Sequence, residues 1–468
     1  MKNLYVTSGL IVLFLILSCR TQQQQTDRLP VATISRDTAL IADLRLMEAE
    51  KKIEKAQLDS DAIGYFDEDF LRFDNHIYKP HINTVLFHRV GWEMSRPVIE
   101  MGKNDRLLLS FDDLEGGFKN YQYTILHCDA YWQPSHINQS EYIDGFTTDY
   151  IVDYKTSRNT LQNYTHYFLT FPGNEVRPRI SGNYILKVFL DSPDNVVLTR
   201  RFKIFEARVS IDGSVRQATA IEDRDSKQEI ALTITHTNFR IADPHRNLHL
   251  IVQQNQRTDN MIKSVKPSLI RNHVLEYDWG SGIVFDGNNE FRAFDLKNLR
   301  LLMEGVHNIE LQQGYYHAYL KADERKPFRR YRQRHDINGK RAIKNEEAQD
   351  SRVGADYVYV HFSLAYPAPM IHGNIHIMGA LTDWGFNNNS KMIYNYHTRA
   401  YEKVLLLKQG YYNYAYAFLE NGKEAADMGL LEGNHSQTEN DYAIYVYYRK
   451  PNELYDRLIG VKFLNSRE

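Results

Sequence analysis

The acidic residues that follow Leu107–Phe111 are the first candidates for chemistry in this sequence of 468 residues. Asp112, Asp113 and Glu115, with two glycines after them, offer the carboxylates of a calcium loop or of an acid–base pair. An acidic turn at the end of a strand explains the same residues without a ligand. The sequence therefore predicts a turn here, with a carboxylate site as the alternative.

Two histidines and a cysteine are the next candidates. His372 and His376 would share one face of a strand at about 13 Å, which is too far to chelate one ion. Cys128 ends the alternating stretch Tyr123–Cys128, so we expect a small buried apolar side chain rather than a reactive thiol. Neither pattern predicts a metal site or a nucleophile.

The local motifs of common enzyme classes are missing from the sequence. It contains no His-Glu-x-x-His, no paired Cys-x-x-Cys, no Gly-rich phosphate loop and no Gly-x-Ser-x-Gly. We therefore predict a non-enzymatic protein with no catalytic residue, no metal and no cofactor, and we expect no small-molecule substrate. An exported hydrolase with dispersed catalytic residues is the alternative.

Alternating apolar residues predict that β-strands position these side chains. Tyr121–Cys128 and Tyr184–Leu190 alternate, and Tyr411–Phe418 places an aromatic ring at every second position from Tyr412. Aromatic residues form 12% of the chain and include 32 tyrosines, a composition suited to half-buried sheets. The predicted fold class is all-β.

A repeated turn motif predicts immunoglobulin-like β-sandwiches in tandem. The Gln-Gly-Tyr-Tyr of Gln313–Tyr316 recurs at Gln409–Tyr412, and Ser181–Tyr184 is a weaker copy. Glycine allows the positive φ of tight turns, although such turns are common before antiparallel strands. The copies are separated by about the length of one sandwich.

Together with the beginning of the chain, described next, these patterns predict six segments. They are a lipoprotein signal peptide at 1–18, a tether with a short helix at 19–78, sandwiches at 79–207, 208–355 and 356–450, and a C-terminal tail at 451–468.

The beginning of the chain is typical of an exported lipoprotein. Lys2 precedes an apolar run, Gly9–Leu17, that is too short to span a bilayer. The run ends at Ser18 and Cys19, which resembles the cleavage box of bacterial lipoproteins, so a lipid on Cys19 would anchor the mature chain. An ordinary secreted protein with a chance cysteine is the alternative. Helix formers between Leu40 and Ile53 predict the helix of the tether.

A basic segment, Lys321–Lys344, contains ten Lys and Arg residues against three Asp and Glu residues. Arg329, Arg330 and Arg332 are its candidate binding residues, for an acidic partner or for phosphate groups. A solvated connection between sandwiches explains the same composition. Nucleic acid is not expected as a partner, because Tyr331 alone does not provide interleaved aromatic rings and the net charge is only −2.

The region around Gly379–Trp384 resembles the immunoglobulin-like glycan-binding modules attached to starch-branching enzymes. The resemblance continues through Tyr401–Leu407, Gly410–Tyr414 and Asn421–Lys423. It implies a sandwich and makes Trp384 the candidate for stacking on a sugar, although a tryptophan at this turn can equally pack into the sandwich.

A longer resemblance extends over most of the chain. Its stretches are His81–Met94, Leu107–Leu114, Tyr123–Pro134, Gln139–Gly145, Tyr164–Tyr167, Ile180–Lys187 and Asn289–Asp295. They resemble the type IX secretion system plug protein family. In this resemblance Trp92, Trp132 and the Asp112–Asp113 pair are signatures of membership, expected in the core and turns of the first sandwich.

Membership implies a non-catalytic plug that closes the periplasmic mouth of a large translocon barrel when no substrate is passing. The implied partners are that outer-membrane barrel and, through the lipid anchor, the outer membrane itself. An envelope lipoprotein that binds glycans through its C-terminal sandwich is the alternative.

Overall fold

The computed structural model describes residues 70–278 and 282–468, and their regular structure is mainly β-strand. The all-β prediction is confirmed. The predicted signal peptide, Cys19 and the helix between Leu40 and Ile53 lie outside the described residues. Among the described residues, no helix has the length and apolarity needed to cross a bilayer.

The first sandwich is formed by twelve strands between His76 and Phe205. They are β1 (His76–Ile77), β2 (Ile82–Arg89), β3 (Val98–Glu100), β4 (Leu107–Asp113), β5 (Tyr121–Cys128), β6 (Ile143–Gly145), β7 (Thr148–Tyr150), β8 (Asp153–Thr156), β9 (Thr165–Phe171), β10 (Val176–Pro178), β11 (Gly182–Leu190) and β12 (Val196–Phe205), with helix α1 at Gln139–Tyr142.

The two main sheets of this sandwich share one core. One sheet has the order β1-β12-β11-β5-β7, with β3 beside β12, and the other has the order β2-β4-β9-β8, while β6 pairs with β10. Phe111 of β4 meets Tyr121 of β5 edge to face, with ring centroids 5.2 Å apart. The apolar residues of the alternating pattern therefore point inward from both sheets.

The second sandwich begins after the first and is interrupted by the third. Its first strands are β13 (Ser210–Gln217), β14 (Lys227–Thr235), β15 (Leu248–Gln254), β16 (Ile262–Val265), β17 (Leu269–Arg271), β18 (Val274–Tyr277) and β19 (Val284–Asp286), with helix α2 at Pro244–Asn247 and a single 3-10 turn at Ile221–Asp223.

The third sandwich follows without a long linker. It contains β20 (Arg292–Asp295), β21 (Val306–Gln312), β22 (Tyr315–Leu320), β23 (Arg341–Ile343), β24 (Tyr357–Ala365), β25 (Gly373–Met378), β26 (Ile393–Asn395), β27 (Ala400–Lys408) and β28 (Gly410–Glu420), with helices α3 (Ser351–Gly354) and α4 (Gly429–Glu432) and a 3-10 turn at Ala380–Thr382. Its sheets have the orders β20-β28-β23, with β25 beside β28, and β21-β22-β24-β27-β26.

The chain then returns to complete the second sandwich. Strands β29 (Asp441–Tyr448) and β30 (Arg457–Asn465) extend the sheet β16-β15-β29-β30, which faces the sheet β13-β14-β18-β17 with β19 beside β14. Ile444 and Val446 of β29 enter the same core as Ile230 and Leu232 of β14. The second sandwich is therefore discontinuous in sequence.

The strands are divided between sandwiches differently from the sequence-based boundaries. The segment 451–468 is not a tail, because it contains β30, and the third sandwich begins near 292 rather than 356. The end of the predicted tether also contains β1, which pairs with β12. Local patterns mark strands but carry no signal for pairing between β15 and β29, which lie almost two hundred positions apart.

The two strong turn copies do not mark two sandwiches. Gly314 lies in the hairpin between β21 and β22, and Gly410 carries the chain from β27 in one sheet to β28 in the other, so both lie in the third sandwich. The strand predicted at Tyr411–Phe418 is confirmed as part of β28. Tyr412, Tyr414 and Tyr416 enter the main core of the third sandwich.

Candidate functional site

A buried charged cluster joins the first and third sandwiches. Asp112, at the end of β4, accepts hydrogen bonds from His166 Nδ1 at 2.6 Å, Lys408 Nζ at 2.5 Å and the Tyr357 hydroxyl at 2.7 Å. Asp112 and His166 belong to the first sandwich, whereas Lys408 and Tyr357 lie on strands of the third. The predicted acidic turn is wrong at this point, because Asp112 and Asp113 are buried residues of a strand.

The charges of this cluster compensate one another. Burial alone would raise the pKa of Asp112, but Lys408 and His166 hold it below its usual value. Burial lowers the pKa of Lys408, and Asp112 offsets part of that effect. Lys408 also donates to the carbonyl oxygen of Arg352 at 2.7 Å and lies 4.1 Å from the centre of the Tyr164 ring. The cluster therefore acts as a fixed contact between two sandwiches.

Further polar contacts extend this junction. The carboxylate of Asp356 accepts hydrogen bonds from the backbone N–H groups of Leu161 at 2.7 Å and Gln162 at 3.2 Å. Arg200 of the first sandwich, with only 4% of its side chain exposed, pairs with Asp383 of the third at 2.9 Å. Backbone and side-chain groups from both sandwiches therefore share the contact.

The first sandwich also packs against the second. The amine of Lys203 lies 4.5 Å from the centre of the Trp132 ring and 4.4 Å from that of Tyr445, which belongs to β29. The backbone N–H of Ala130 donates to Asp456 at 2.9 Å, in the loop before β30. An apolar cluster with members from both sandwiches underlies these contacts.

The second and third sandwiches form the remaining contact. Arg257 pairs with Asp259 and also donates to the carbonyl oxygen of Ala426 at 2.8 Å. Lys340 of the third sandwich pairs with Asp441 of β29 at 2.7 Å. Each sandwich therefore contacts the other two, and we call this arrangement the three-sandwich body.

The basic segment Lys321–Lys344 runs along the third sandwich and ends in the sheet with β23. Arg329 is exposed and pairs with Glu324. Arg330 and Arg332 are exposed too, and no carboxylate of the described residues lies within ion-pair distance of either. The three predicted binding arginines are thus at the surface, and two of them are available to a partner.

Trp384, the predicted sugar platform, is buried. Only 6% of its surface is exposed, and its ring meets Phe291 edge to face at 5.9 Å. The turn at Asn338 and Gly339 covers it so closely that a Cβ atom on Gly339 would lie 2.4 Å from the indole. The prediction of an exposed stacking residue at Trp384 is therefore wrong, and the ring packs in the sandwich.

A second acidic group lies near the surface of the first sandwich. Ligand atoms of His81, Asp113 and Glu115 lie within 4.8 Å of one another. The ammonium of Lys119 is already among them, 2.8 Å from Asp113 and 2.5 Å from Glu115. This arrangement is an ion-pair network in which Lys119 pairs with both carboxylates.

The remaining residues singled out in the sequence are a cysteine, two histidines and two tryptophans, and they differ in burial. Cys128 is fully buried, and burial raises its pKa to about 12, which fits the expected apolar role. His376 is buried in β25, where burial lowers its pKa to about 4, while His372 precedes the strand and is exposed. Trp132 is buried and Trp92 lies in a turn with 70% of its surface exposed, so both fit the expected core and turns of the first sandwich.

Comparison with known proteins assigns the first sandwich. Residues 82–206 match the family model described as the type 9 secretion system plug protein 1st domain. A crystal structure of a hypothetical protein from Parabacteroides merdae is 34% identical, with a TM-score of 0.82, and the match covers 84% of this chain and 100% of that chain. The chain belongs to the type 9 secretion system plug protein family. Membership points to a non-enzymatic role in type IX secretion, in the envelope near the outer membrane.

Other comparisons add nothing to this assignment. The C-terminal domain of the antigen I/II-family protein AspA from Streptococcus pyogenes is 8% identical, with a TM-score of 0.15, over 82% of the plug-family chain and 99% of that chain. This similarity carries no argument about fold or function. No curated protein matches the sequence.

Sequence reasoning missed the buried charges that join the sandwiches. Lys408 ends the apolar run Val404–Leu407, and a lysine there is a weak signal for a buried charge. Its partner Asp112 lies 296 positions earlier, so no local spacing could connect the two.

Proposed function

We propose that this chain is a non-catalytic plug that closes the periplasmic mouth of the outer-membrane type IX translocon when no substrate is passing. The observation that carries the proposal is the match of residues 82–206 to the first domain of the plug protein family. Closure itself goes beyond that match. The word plug in the family's description and the physical properties of the body support it.

The three-sandwich body has the stiffness that such a stopper needs. A pore wide enough for folded cargo leaks small molecules unless a body that resists deformation fills its mouth. Close-packed interiors resist deformation, and here the sandwiches are joined by buried contacts such as the Lys408–Asp112 ion pair and the hydrogen bond from Arg257 to the carbonyl oxygen of Ala426. Loosely linked sandwiches would bend at their joints, whereas these share an apolar cluster and buried polar contacts.

A lipid on Cys19 would keep the plug near its barrel. Tethering to the membrane that contains the barrel raises the effective concentration of the plug at the mouth. The segment between Cys19 and the first sandwich then sets how far the body moves when cargo passes. The anchored plug thus reaches both a closed and an open position without leaving the membrane.

The experiment that tests the proposal is recovery of the barrel with the full-length chain as bait. An outer-membrane extract in mild detergent is expected to yield a very large barrel protein bound to the wild-type chain. Cys19→Ser should still bind the barrel in detergent, but it should no longer fractionate with membranes. Absence of a barrel from the wild-type bait would contradict the proposal, whereas loss of barrel binding by Cys19→Ser would contradict the role given to the anchor.

A further inference from the structure

One end of the third sandwich carries a groove of about 610 Å³ next to the basic segment. Its lining includes Glu324, Arg325, Phe328, Arg329, Tyr366 and Arg399. We call it the Phe328 groove. We propose that it binds an acidic, extended segment of the partner protein, with an apolar side chain of that segment against Phe328. This inference rests on the proposed function and names the surface through which the plug meets its partner.

Phe328 is placed to act as the apolar contact of the groove. Its surface is 96% exposed, although a large aromatic side chain on a monomer gains most from burial. The loop around it is held in place, because the backbone N–H of Lys326 donates to Leu431 at 2.7 Å and that of Arg329 donates to Lys326 at 3.0 Å. A ring presented on a fixed turn loses little conformational entropy on binding. Such a ring is typical of residues that dominate an interface.

The charges around Phe328 select a negatively charged partner. The guanidinium carbon of Arg325 lies over the Tyr366 ring, 4.5 Å from its centre, and no carboxylate of the described residues pairs with it. Arg399 is exposed, and none of the carboxylates in residues 70–278 and 282–468 forms an ion pair with it. Arg330 and Arg332 add two more unpaired charges along the same segment. Guanidinium groups recognise carboxylates through paired hydrogen bonds, so acidic side chains fit this surface.

The shape favours a protein segment over a membrane. Stable insertion into a bilayer depends on buried apolar area, and Phe328 is the one large apolar side chain exposed in the described loop Lys326–Arg334. The groove beside it is concave and has room for several side chains of an extended peptide. A concave surface with one aromatic contact and a basic rim suits a peptide better than a flat headgroup layer.

Photocrosslinking from the groove tests the proposal in cells that contain the secretion machinery. A benzophenone amino acid placed at position 328 of the full chain is expected to crosslink to an acidic segment of an outer-membrane protein. The double variant Arg325→Glu/Arg399→Glu should reduce the yield at least about tenfold, because like charges then face the partner. Arg240→Glu/Arg271→Glu carries the same charge change on exposed residues of the second sandwich and should leave the yield unchanged.

Several outcomes would overturn the proposal. They are a crosslink to lipid, a crosslink to a segment without acidic residues, equal loss in both double variants, and no crosslink while the chain still co-purifies with the barrel. In the last case the plug function stands and only the docking surface is wrong. If the wild-type chain does not co-purify with the barrel at all, the proposed function itself fails, so the two failures are distinguishable. As a position control, benzophenone at Ile371, which is 85% exposed in the same sandwich, should not give the product.

Discussion

At the residue scale, the junction between the first and third sandwiches contains an ion pair without access to water. The side chains of Lys408 and Asp112 are each 1% exposed, and their charged atoms lie 2.5 Å apart. Burying two charges costs about as much as their attraction returns. The pair thus contributes little net stability. Each charge nevertheless offsets the desolvation cost of burying the other.

Lys408→Met should lower the free energy of unfolding by about 3–5 kcal/mol, because Asp112 then stays buried without its counter-charge. Urea unfolding of the purified protein measures the change. Lys103→Met is the matched control, since Lys103 pairs with Glu100 while its own side chain is 62% exposed. The control should change stability by no more than about 0.5 kcal/mol. Similar losses in both variants would contradict a special role for Lys408.

The double variant Asp112→Asn/Lys408→Met separates the lost charge from the lost packing. Removing the carboxylate charge as well should recover part of the stability that Lys408→Met loses, because no uncompensated charge remains buried. The same urea series measures the recovery. A double variant as unstable as the sum of the single variants would show that Asp112 and Lys408 do not act as a pair.

His127 makes stability depend on pH. Burial lowers its pKa from 6.5 to about 4, so the unfolded chain binds the proton more tightly than the folded one. Its contribution is complete above pH 6.5 and is lost as pH falls toward 4. The difference in unfolding free energy between wild type and His127→Gln should therefore shrink across that range. A difference that stays constant from pH 6.5 to pH 4 would contradict this assignment.

At the element scale, the second sandwich depends on strands from the end of the chain. In β29, Tyr442 and Tyr448 are buried in its core, and the edge of β29 is covered by β30. Because both faces of β29 are buried, one in the core of the second sandwich and the other in the cluster shared with the first, loss of β30 would expose backbone and side chains together.

A chain that ends at Asp456, and thus lacks β30, should fail to fold as a soluble protein. The reason is that Leu458 and Ile459, both fully buried, are lost from two apolar clusters. Soluble yield and protection from protease measure the result. A chain that lacks only Glu468 serves as the control and should behave as wild type. A soluble, protease-resistant chain ending at Asp456 would restore the description of 451–468 as a tail.

Element type was more predictable than element partnership. Alternation in Tyr121–Cys128 and Tyr411–Phe418 correctly predicted β5 and most of β28, because the period of side-chain burial is local. The pairing of β15 with β29 depends on tertiary packing across the intervening sandwich, which no window of sequence contains. The same limit explains why the repeated turns at Gly314 and Gly410 suggested two sandwiches instead of one.

In the candidate site, too, the sequence predicted local properties but not those that depend on tertiary packing. The exposure of Arg330 and Arg332 followed from composition, since dense like charges stay at the surface. The burial of Trp384 did not, because a tryptophan at a turn is compatible with either position and only the covering Gly339 decides it. Phe328 was not singled out from the sequence, since its exposure depends on the backbone contacts that hold its loop.

At the scale of the whole molecule, the pairwise contacts among the three sandwiches are the feature most relevant to closure. An apolar cluster spans the interface between the first and second sandwiches, and ion pairs such as Arg200–Asp383 and Lys340–Asp441 cross the other two. Polar groups that must be satisfied in one geometry disfavour sliding between the sandwiches. The body therefore resists the bending that would open a gap in a blocked pore.

Permeability of the outer membrane tests the central claim most directly. Cells that lack this chain are expected to take up an antibiotic too large for the intact outer membrane, while secretion through the translocon continues. Re-supplying the wild-type chain should restore the barrier, because the open barrel is then closed again. Permeability that does not change when the chain is removed would contradict closure of the translocon by this protein.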